Sequence, residues 1–238
     1  MPTTRRQFID SLATGAVAFG AMPAALGASA AEPAVLPDGA PAVIPAEFRH
    51  DVAQEAWDTR WSERLTGTVR TVFDVPEVES GFGVWRASIW ARQYEQVLGV
   101  PARDMSTALV IRHNAIILAM QQGFWDRYGI GKARGVTHPL TGEPVTRNPA
   151  LLGTSDGLAE PQAGLALDRF MARGGIALAC DLALQDLVAL IRETDDLPEA
   201  QAKSQARQWL VPGVILQPSG VFSVLRAQQA GALYIRAS

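Results

Sequence analysis

The chain has 238 residues, of which 48% are hydrophobic, with 21 Lys and Arg against 24 Asp and Glu and a formal net charge of −3. The apolar fraction is typical of a folded globular protein and excludes a wholly disordered chain. The mildly acidic balance argues against a nucleic-acid-binding protein, because such proteins carry a basic surface.

The N-terminus has the pattern of an export signal. Arg5 and Arg6 are followed by one spacer and two apolar residues, as in a twin-arginine signal. A weakly apolar stretch rich in Ala and Gly follows over 12–26, and 28–30 offers an Ala-x-Ala cleavage site. The alternatives are an ordinary secretory signal and a membrane anchor, but an anchor needs about 20 strongly apolar residues. We therefore predict that residues 1–30 are a twin-arginine signal peptide, recognised by the twin-arginine translocase, and that the mature protein is periplasmic without a stable membrane anchor.

Residues 31–66 precede the expected domain. Four prolines between positions 33 and 45 predict an extended spacer. Trp57 and Trp61 belong to a helical or irregular element that follows the spacer. We interpret residues 31–66 as a proline-rich linker with an N-terminal extension, and residues 67–238 as the folded domain.

Strand-like and helix-like segments alternate along the domain. Strands rich in Val, Ile and Leu that alternate with helices indicate a mainly parallel sheet, and right-handed crossovers then place helices on both faces. The prediction is an α/β fold: a flavodoxin-like, doubly wound domain with five strands and a loop insertion at about 129–157. The predicted strands cover 68–74, 106–111, 175–180, 214–217 and 233–236. The predicted helices cover 84–98, a segment from just after 112–114 to 128, 162–172, 182–192, 198–210 and 221–230.

Turn and cap residues support these boundaries. Gly99 is expected to end the helix over 84–98, because glycine is common just beyond a helix C-terminus. Asp195 or Asp196 is expected to cap the helix over 198–210, and Ser219 the last helix.

Three strand ends carry side chains that could form a site. His113 follows the second strand, Cys180 ends the third, and Ser219 with Gly220 follows the fourth. The carboxyl ends of parallel strands meet at one edge of the sheet, where such folds bind their ligands. Because Cys180 is the only cysteine, it cannot form a disulfide within the chain, so it is a free, reactive or intermolecularly paired thiol.

The start of a helix favours the thiolate form of a cysteine, through the helix dipole and the free N–H groups. His113 could assist Cys180 as a cation or proton acceptor, whereas the neighbouring Asp181 opposes a thiolate. The alternatives stay open: Cys180 as a buried core residue, His113 as a cap of the local backbone, and Ser219 as a helix cap only.

The insertion at 129–157 is rich in basic residues. It contains Lys132, Arg134, His138 and Arg147, which either clamp an anion or form a solvated surface. Inside it, residues 136–146 are expected to form a small hairpin or ordered loop. No metal-ligand spacing or dinucleotide fingerprint is present, so we predict neither a metal nor another cofactor.

Several segments resemble the DsrE/DsrF-like sulfur-relay family. They are LVIRHNA at 109–115, GIALAC at 175–180, VPGVILQPSGV at 211–221 and AQQAGALYI at 227–235. With the first strand, they extend over most of residues 68–238. The resemblance implies a DsrE-like fold, subunits that form homo-oligomers, and a cysteine at the end of the third strand that carries sulfur as a persulfide. Cys180 falls on that position.

The leading functional hypothesis is therefore an exported DsrE-like protein that binds or relays sulfane sulfur through Cys180, with a protein thiol or a small sulfur-containing anion as partner. One alternative is a non-catalytic small-molecule-binding or oligomeric assembly protein with the same fold. A weaker alternative is a small-molecule enzyme that uses the basic loop as a lid. The candidate reactive residues are Cys180 and His113, and the candidate ligand-binding residues are Arg112, Asn114, Ser219, Gly220, Lys132 and Arg134.

Overall fold

The computed structural model describes residues 57–238, so the predicted signal peptide and most of the predicted linker lie outside the described residues. Strands and helices alternate along the described part. The strands are β1 (Val69–Val75), β2 (Met105–Ile111), β3 (Ile176–Cys180), β4 (Ile215–Gln217) and β5 (Leu233–Arg236). The α-helices are α1 (Phe82–Leu98), α2 (Gln122–Tyr128), α3 (Ile130–Ala133), α4 (Leu167–Ala172), α5 (Asp181–Asp195), α6 (Glu199–Gln208) and α7 (Gly220–Gln229).

The five strands form one sheet in the order β4-β3-β2-β1-β5, and every neighbouring pair is parallel. The register brings Cys180 at the end of β3 opposite Gln217 at the end of β4. This confirms the predicted α/β fold with a five-stranded parallel sheet of the flavodoxin-like type.

The two faces of the sheet bury separate groups of side chains. Alternate strand residues such as Phe73 and Ala179 pack against α1, α5 and the segments between β2 and β3. The opposite face, with Val72 and Leu178, is covered by Ala227 of α7 and by Trp61 of a short 3-10 helix, Arg60–Arg64. The period of two along each strand therefore supplies apolar residues to both layers.

The connections create a switch point between β3 and β4. The chain moves stepwise from β1 to β4 in one direction, then crosses the whole sheet through α7 to reach β5 on the far side of β1. Because α5 leaves β3 on one face and α7 leaves β4 on the other, the chain departs from these paired strand ends in opposite directions. Parallel α/β sheets bind ligands at such a point.

The helix predicted up to residue 128 is broken in the structure, so that prediction is wrong in detail. A 3-10 segment, His113–Ala119, is followed by Met120 in extended conformation, and α2 begins only at Gln122. Met120 forms an antiparallel bridge with Leu210, and the amide of Val211 donates to the carbonyl of Ala119 at 2.8 Å. These contacts are remote in sequence, which is why helical periodicity alone did not show the break.

Two other predicted boundaries are corrected. The N-cap of α6 is Pro198 rather than Asp195 or Asp196. The Asp195 carboxylate instead accepts hydrogen bonds from Arg127, Tyr128 and Gln205. The helix expected over 162–172 is limited to α4, preceded by a 3-10 turn at Ala163–Leu165.

Other local predictions are confirmed. Gly99 ends α1 in left-handed conformation, at a φ of 69°. In the insertion, the amide of Val145 donates to the carbonyl of Val136, and Thr137 pairs with Pro144 as an antiparallel bridge, so the small hairpin is present. Across residues 57–238, no helix is long and apolar enough to cross a membrane.

Candidate functional site

Cys180 lies at the junction that the sequence predicted. It is the last residue of β3 and the N-cap of α5, and its Sγ accepts a hydrogen bond from the backbone amide of Ala183 at 3.4 Å. The residue is 6% exposed. The sulfur therefore takes the place of the oxygen that usually caps a helix, in a position where the helix N-terminus favours negative charge.

A buried ion pair lies at the same edge of the sheet. Asp74, near the end of β1, is 2% exposed and accepts two hydrogen bonds from Arg112, from Nε at 2.7 Å and from Nη2 at 2.9 Å. The hydroxyl of Tyr234 in β5 donates to the same carboxylate at 2.9 Å. This bidentate pair fixes the plane of the guanidinium.

Arg112 links the ion pair to the cysteine. The pKa of Arg112 is raised above its ordinary value, chiefly by the hydrogen bonds with Asp74, while burial acts in the opposite direction. The negative forms of Tyr234 and Cys180 contribute further to the rise. The guanidinium is therefore held at the end of β2, and because Ile111 pairs with Ala179, Arg112 and Cys180 follow directly at neighbouring strand ends.

Gly220 allows Arg112 to lie across the start of α7. A Cβ atom at Gly220 would be 2.3 Å from Cδ and 2.7 Å from Cβ of Arg112, so no larger residue fits without a shift. Ser219 is the N-cap of α7, as predicted, and its Oγ accepts a hydrogen bond from the amide of Phe222 at 3.0 Å. The hydroxyl of Ser219 thus has a structural partner.

His113 and Asn114 gather around a different residue, Glu77. The Nδ1 of His113 lies 3.3 Å from one carboxylate oxygen of Glu77, and Asn114 donates to the other oxygen at 2.9 Å. The hydrogen bond from Asn114 is the main cause that lowers the pKa of Glu77, and His113 acts in the same direction. No hydrogen bond joins His113 to Cys180 within residues 57–238, and the His113 side chain is 62% exposed.

The backbone beside Glu77 is strained. Glu79, Ser80 and His113 all have positive φ, at 33°, 54° and 52°. Such conformations are costly for residues with a side chain, and they concentrate at functional sites. The loops after β1 and β2 thus meet at the carboxyl edge in a conformation that the local sequence alone would not favour.

The carboxylate of Asp181 contacts side chains other than that of Cys180. Its carboxylate accepts a hydrogen bond from Gln185 at 3.0 Å and lies 3.4 Å from Nη2 of Arg207 on α6. The sequence suggested that Asp181 opposes a thiolate at position 180. The contact with Arg207 reduces that opposition, because the guanidinium offsets the carboxylate charge.

The basic residues of the insertion divide into two pairs. Arg147 forms an ion pair with Asp156 at 2.7 Å, and Nδ1 of His138 accepts hydrogen bonds from the amides of Leu140 and Thr141. These two side chains hold the loop in shape. The side chains of Lys132 and Arg134 are exposed and form no ion pair or hydrogen bond with residues 57–238, so they are the two that remain available to an anion.

Sequence reasoning missed Asp74, Tyr234 and Glu77. Asp74 was placed at the end of the first predicted strand, and a carboxylate at the end of a buried apolar strand needs a partner. Considering the end of the first strand together with the ends of the second, third and fourth strands would have added Asp74 to the candidate site. Tyr234 carried no local signal, because its contact with Asp74 spans 160 positions of the chain.

Comparison with known proteins gives no family for this chain. No protein-family model matches it. A search of curated proteins found no similar sequence. Within residues 57–238, no group of three or more His, Cys, Asp and Glu side chains is placed to hold a metal ion.

Proposed function

We propose that the chain is an exported DsrE-like protein that binds or relays sulfane sulfur through a persulfide on Cys180. The observation that supports this proposal is the position of the only cysteine sulfur, at the N-cap of α5 and at the strand end next to the one that Arg112 follows. The chain leaves the paired ends of β3 and β4 on opposite faces of the sheet, and α/β proteins bind ligands at such a point.

Thiosulfate illustrates the reaction. The Cys180 thiolate attacks the outer sulfur, the S–S bond of thiosulfate breaks, and sulfite leaves with the bonding electron pair. A new S–S bond on Sγ gives the persulfide. A thiolate of a partner protein then attacks the terminal sulfur, takes it as its own persulfide and restores the Cys180 thiolate.

Arg112 is assigned the binding of the anionic donor. Asp74 occupies Nε and Nη2, and Nη1 donates to no atom of residues 57–238. Charge-assisted hydrogen bonds from a fixed guanidinium suit a sulfur oxyanion. The start of α7 at Gly220 adds a second anion-attracting group, because a helix N-terminus favours negative charge. Lys132 and Arg134 would attract anions from solution without contacting them.

Burial of Cys180 gives the proposed carrier selectivity. At 6% exposure, Cys180 is shielded from bulk solvent and from bulky reagents. A small anion guided by Arg112, or a partner that displaces the loops around Glu77, would reach it more readily than a bulky reagent. His113 and Asn114 are therefore placed by this proposal at the rim, where they would contact an incoming partner or ligand.

The proposal includes a homo-oligomeric assembly and a periplasmic location. Val221 and Leu225 are on one face of α7 and are 70% and 56% exposed, and the edge strand β5 exposes Leu233 and Tyr234. Apolar side chains on an open sheet edge favour association, so we place a homo-oligomer interface here. The twin-arginine pattern of residues 1–30 supports export to the periplasm.

The alternative is a non-catalytic small-molecule-binding or oligomeric assembly protein. The low exposure of Cys180 favours it, because free cysteine in a core is usually an inert packing residue. In that case Asp74 and Arg112 would serve the stability of the sheet edge or the binding of an unreactive anion.

Intact mass separates the two functions. The chain is incubated with thiosulfate or polysulfide, alongside the variant Cys180→Ser. The proposal predicts an adduct of one sulfur atom, about 32 Da, on the unmodified chain only. No adduct under conditions in which iodoacetamide labels Cys180 would eliminate the relay and leave the binding or assembly function.

A further inference from the structure

A second pocket lies at the opposite edge of the sheet from Cys180. It has a volume of about 330 Å³ and opens between the starts of β2 and β3, beside α1. Three arginines line it: Arg64 before β1, Arg103 before β2 and Arg173 before β3. Along β3 alone, the five residues to Cys180 separate the two edges by about 15 Å. The pocket is therefore distinct from the proposed sulfur site.

Arg173 is held in place without a neutralising carboxylate in contact. Its Nη1 donates to the carbonyl of Gly164 at 2.7 Å, and its Nη2 donates to Oγ of Ser88 at 3.3 Å. The pKa of Arg173 is lowered from its ordinary value, first by burial and next by the like charge of Arg92, although Asp168 acts in the opposite direction. The charge of Arg173 is thus only partly compensated by the fold.

The other two arginines also lack a close acidic partner. The side chain of Arg64 forms neither an ion pair nor a hydrogen bond with residues 57–238. Arg103 lies 3.9 Å from Asp104, at the limit of an ion pair, with 83% of its side chain exposed. Elsewhere in the described chain, Arg127 and Arg147 each lie 2.7 Å from a carboxylate. Convergence of unneutralised guanidinium groups on one pocket points to an anionic ligand.

Part of the pocket wall is apolar, and four Ser and Thr residues make much of the rest polar. Ala91 of α1, Met105 of β2 and Phe170 of α4 line it, and Gly175 allows the Phe170 ring to lie against the backbone, since a Cβ there would be 2.4 Å from the ring. At the base, Oγ1 of Thr107 accepts a hydrogen bond from Trp90 at 3.0 Å. An inorganic ion would leave this apolar wall in contact with water, whereas a ligand with an apolar body would cover it.

We propose that this pocket binds a small organic anion, with its sulfonate, sulfate, phosphate or carboxylate group held by Arg64 and Arg173 and its apolar body against Met105 and Phe170. The volume fits the lower end of small-molecule sites. The site stands independently of Cys180 and of sulfur relay, because none of its residues belongs to the carboxyl edge.

Titration calorimetry with naphthalene-2-sulfonate tests the proposal on the full chain. Inorganic sulfate supplies the charged group alone, and 2-naphthol supplies the apolar body alone. The naphthalenesulfonate is expected to bind at one site per chain and more tightly than either fragment. Loss of a charge-assisted hydrogen bond in Arg64→Gln or Arg173→Gln is expected to weaken binding about 10- to 100-fold.

Arg192→Gln is the matched control, because Arg192 lies on α5 outside this pocket and forms only a surface ion pair, 3.6 Å from Glu199. It is expected to change the affinity less than twofold. Arg64→Gln removes no internal hydrogen bond, so it remains informative if Arg173→Gln fails to fold. Absence of naphthalenesulfonate binding, or equal affinity in Arg64→Gln and Arg192→Gln, would overturn the proposal.

Discussion

The carboxylate of Asp74 and the guanidinium of Arg112 form a bidentate ion pair across the carboxyl ends of β1 and β2, with N···O distances of 2.7 and 2.9 Å. The two residues are 38 positions apart, and the parallel register brings their strands together, with Asp74 beside Val110. Asp74 is almost fully buried while Arg112 is partly exposed. The pair therefore anchors a positive charge at the edge where Cys180 ends its strand.

Breaking this pair is expected to destabilise the fold. In Asp74→Asn, Arg112 and Tyr234 lose their shared charged acceptor, and the expected loss in the free energy of unfolding is about 2–4 kcal/mol. Denaturant unfolding measures it. Asp168→Asn is the control, because Asp168 and Arg169 form a solvent-exposed pair at 3.7 Å, whose removal should cost less than about 1 kcal/mol. Equal losses in the two variants would contradict a structural role for the buried pair.

The contact between Gly220 and Arg112 gives a second prediction. In Gly220→Ala the new Cβ would meet Arg112 at 2.3 Å, so either the guanidinium or the start of α7 must move. We expect a destabilisation of about 1–3 kcal/mol, measured by thermal or denaturant unfolding. Gly153→Ala is the matched control, because a Cβ at Gly153 meets no atom within 4 Å and its φ of −136° suits alanine. A Gly220→Ala protein as stable as Gly153→Ala would show that the close approach has no energetic consequence.

Asp195 makes stability depend on pH in the acid range. Its pKa is lowered, first by the hydrogen bond from Arg127 and next by that from Tyr128. Because the folded pKa lies below the unfolded value, the contribution is fully present above the unfolded pKa near about 4 and disappears as the pH falls through the folded pKa. When the pH is lowered from 6 to about 3, the free energy of unfolding should therefore decrease less in Asp195→Asn than in the unmodified chain.

Unfolding curves at both pH values measure this difference. Asp186→Asn is the control, because Asp186 is an exposed residue of the same helix α5 and its carboxylate forms no ion pair or hydrogen bond within the described residues. Its acid profile should follow that of the unmodified chain. Parallel acid profiles for Asp195→Asn and Asp186→Asn would show that the cluster of Arg127, Tyr128 and Asp195 does not control acid stability.

The local architecture was predictable from sequence because its causes are local. Apolar runs predicted the strands, Gly99 predicted a helix end and Ser219 predicted a helix cap. Each of these features depends on a few neighbouring residues. The position of Cys180 at the junction of β3 and α5 was likewise predicted from the change in periodicity. These features required no knowledge of which strands are neighbours.

The partners within the candidate site were not predictable in this way. Tyr234 reaches Asp74 because β5 returns to lie beside β1, which depends on the final crossover through α7. His113 turns toward Glu77 because the loops after β1 and β2 pack together in a strained backbone conformation. The break before α2 likewise follows from the pairing of Met120 with Leu210. Each depends on contacts between distant parts of the chain.

The exposed face of α7 predicts association between copies. Val221→Asp combined with Leu225→Asp places charges on side chains that are 70% and 56% exposed, so the effect on the folded monomer should be small while an interface would be lost. Light scattering coupled to size-exclusion chromatography is expected to show an oligomer for the unmodified chain and a smaller species for the variant. Leu140→Asp, at an equally exposed position in the insertion, should leave the oligomer intact. A monomeric unmodified chain would contradict the proposed interface.

Transfer of sulfur from Cys180 tests the central claim most directly. The chain is loaded with polysulfide, freed of excess reagent and mixed with glutathione, while the protein mass and glutathione persulfide are followed together. We predict that about one sulfur atom per chain leaves Cys180 and appears on glutathione, and that Cys180→Ser delivers none. Failure of the loaded chain to form, or a loaded sulfur that stays on the protein without reaching the acceptor thiol, would contradict relay through Cys180.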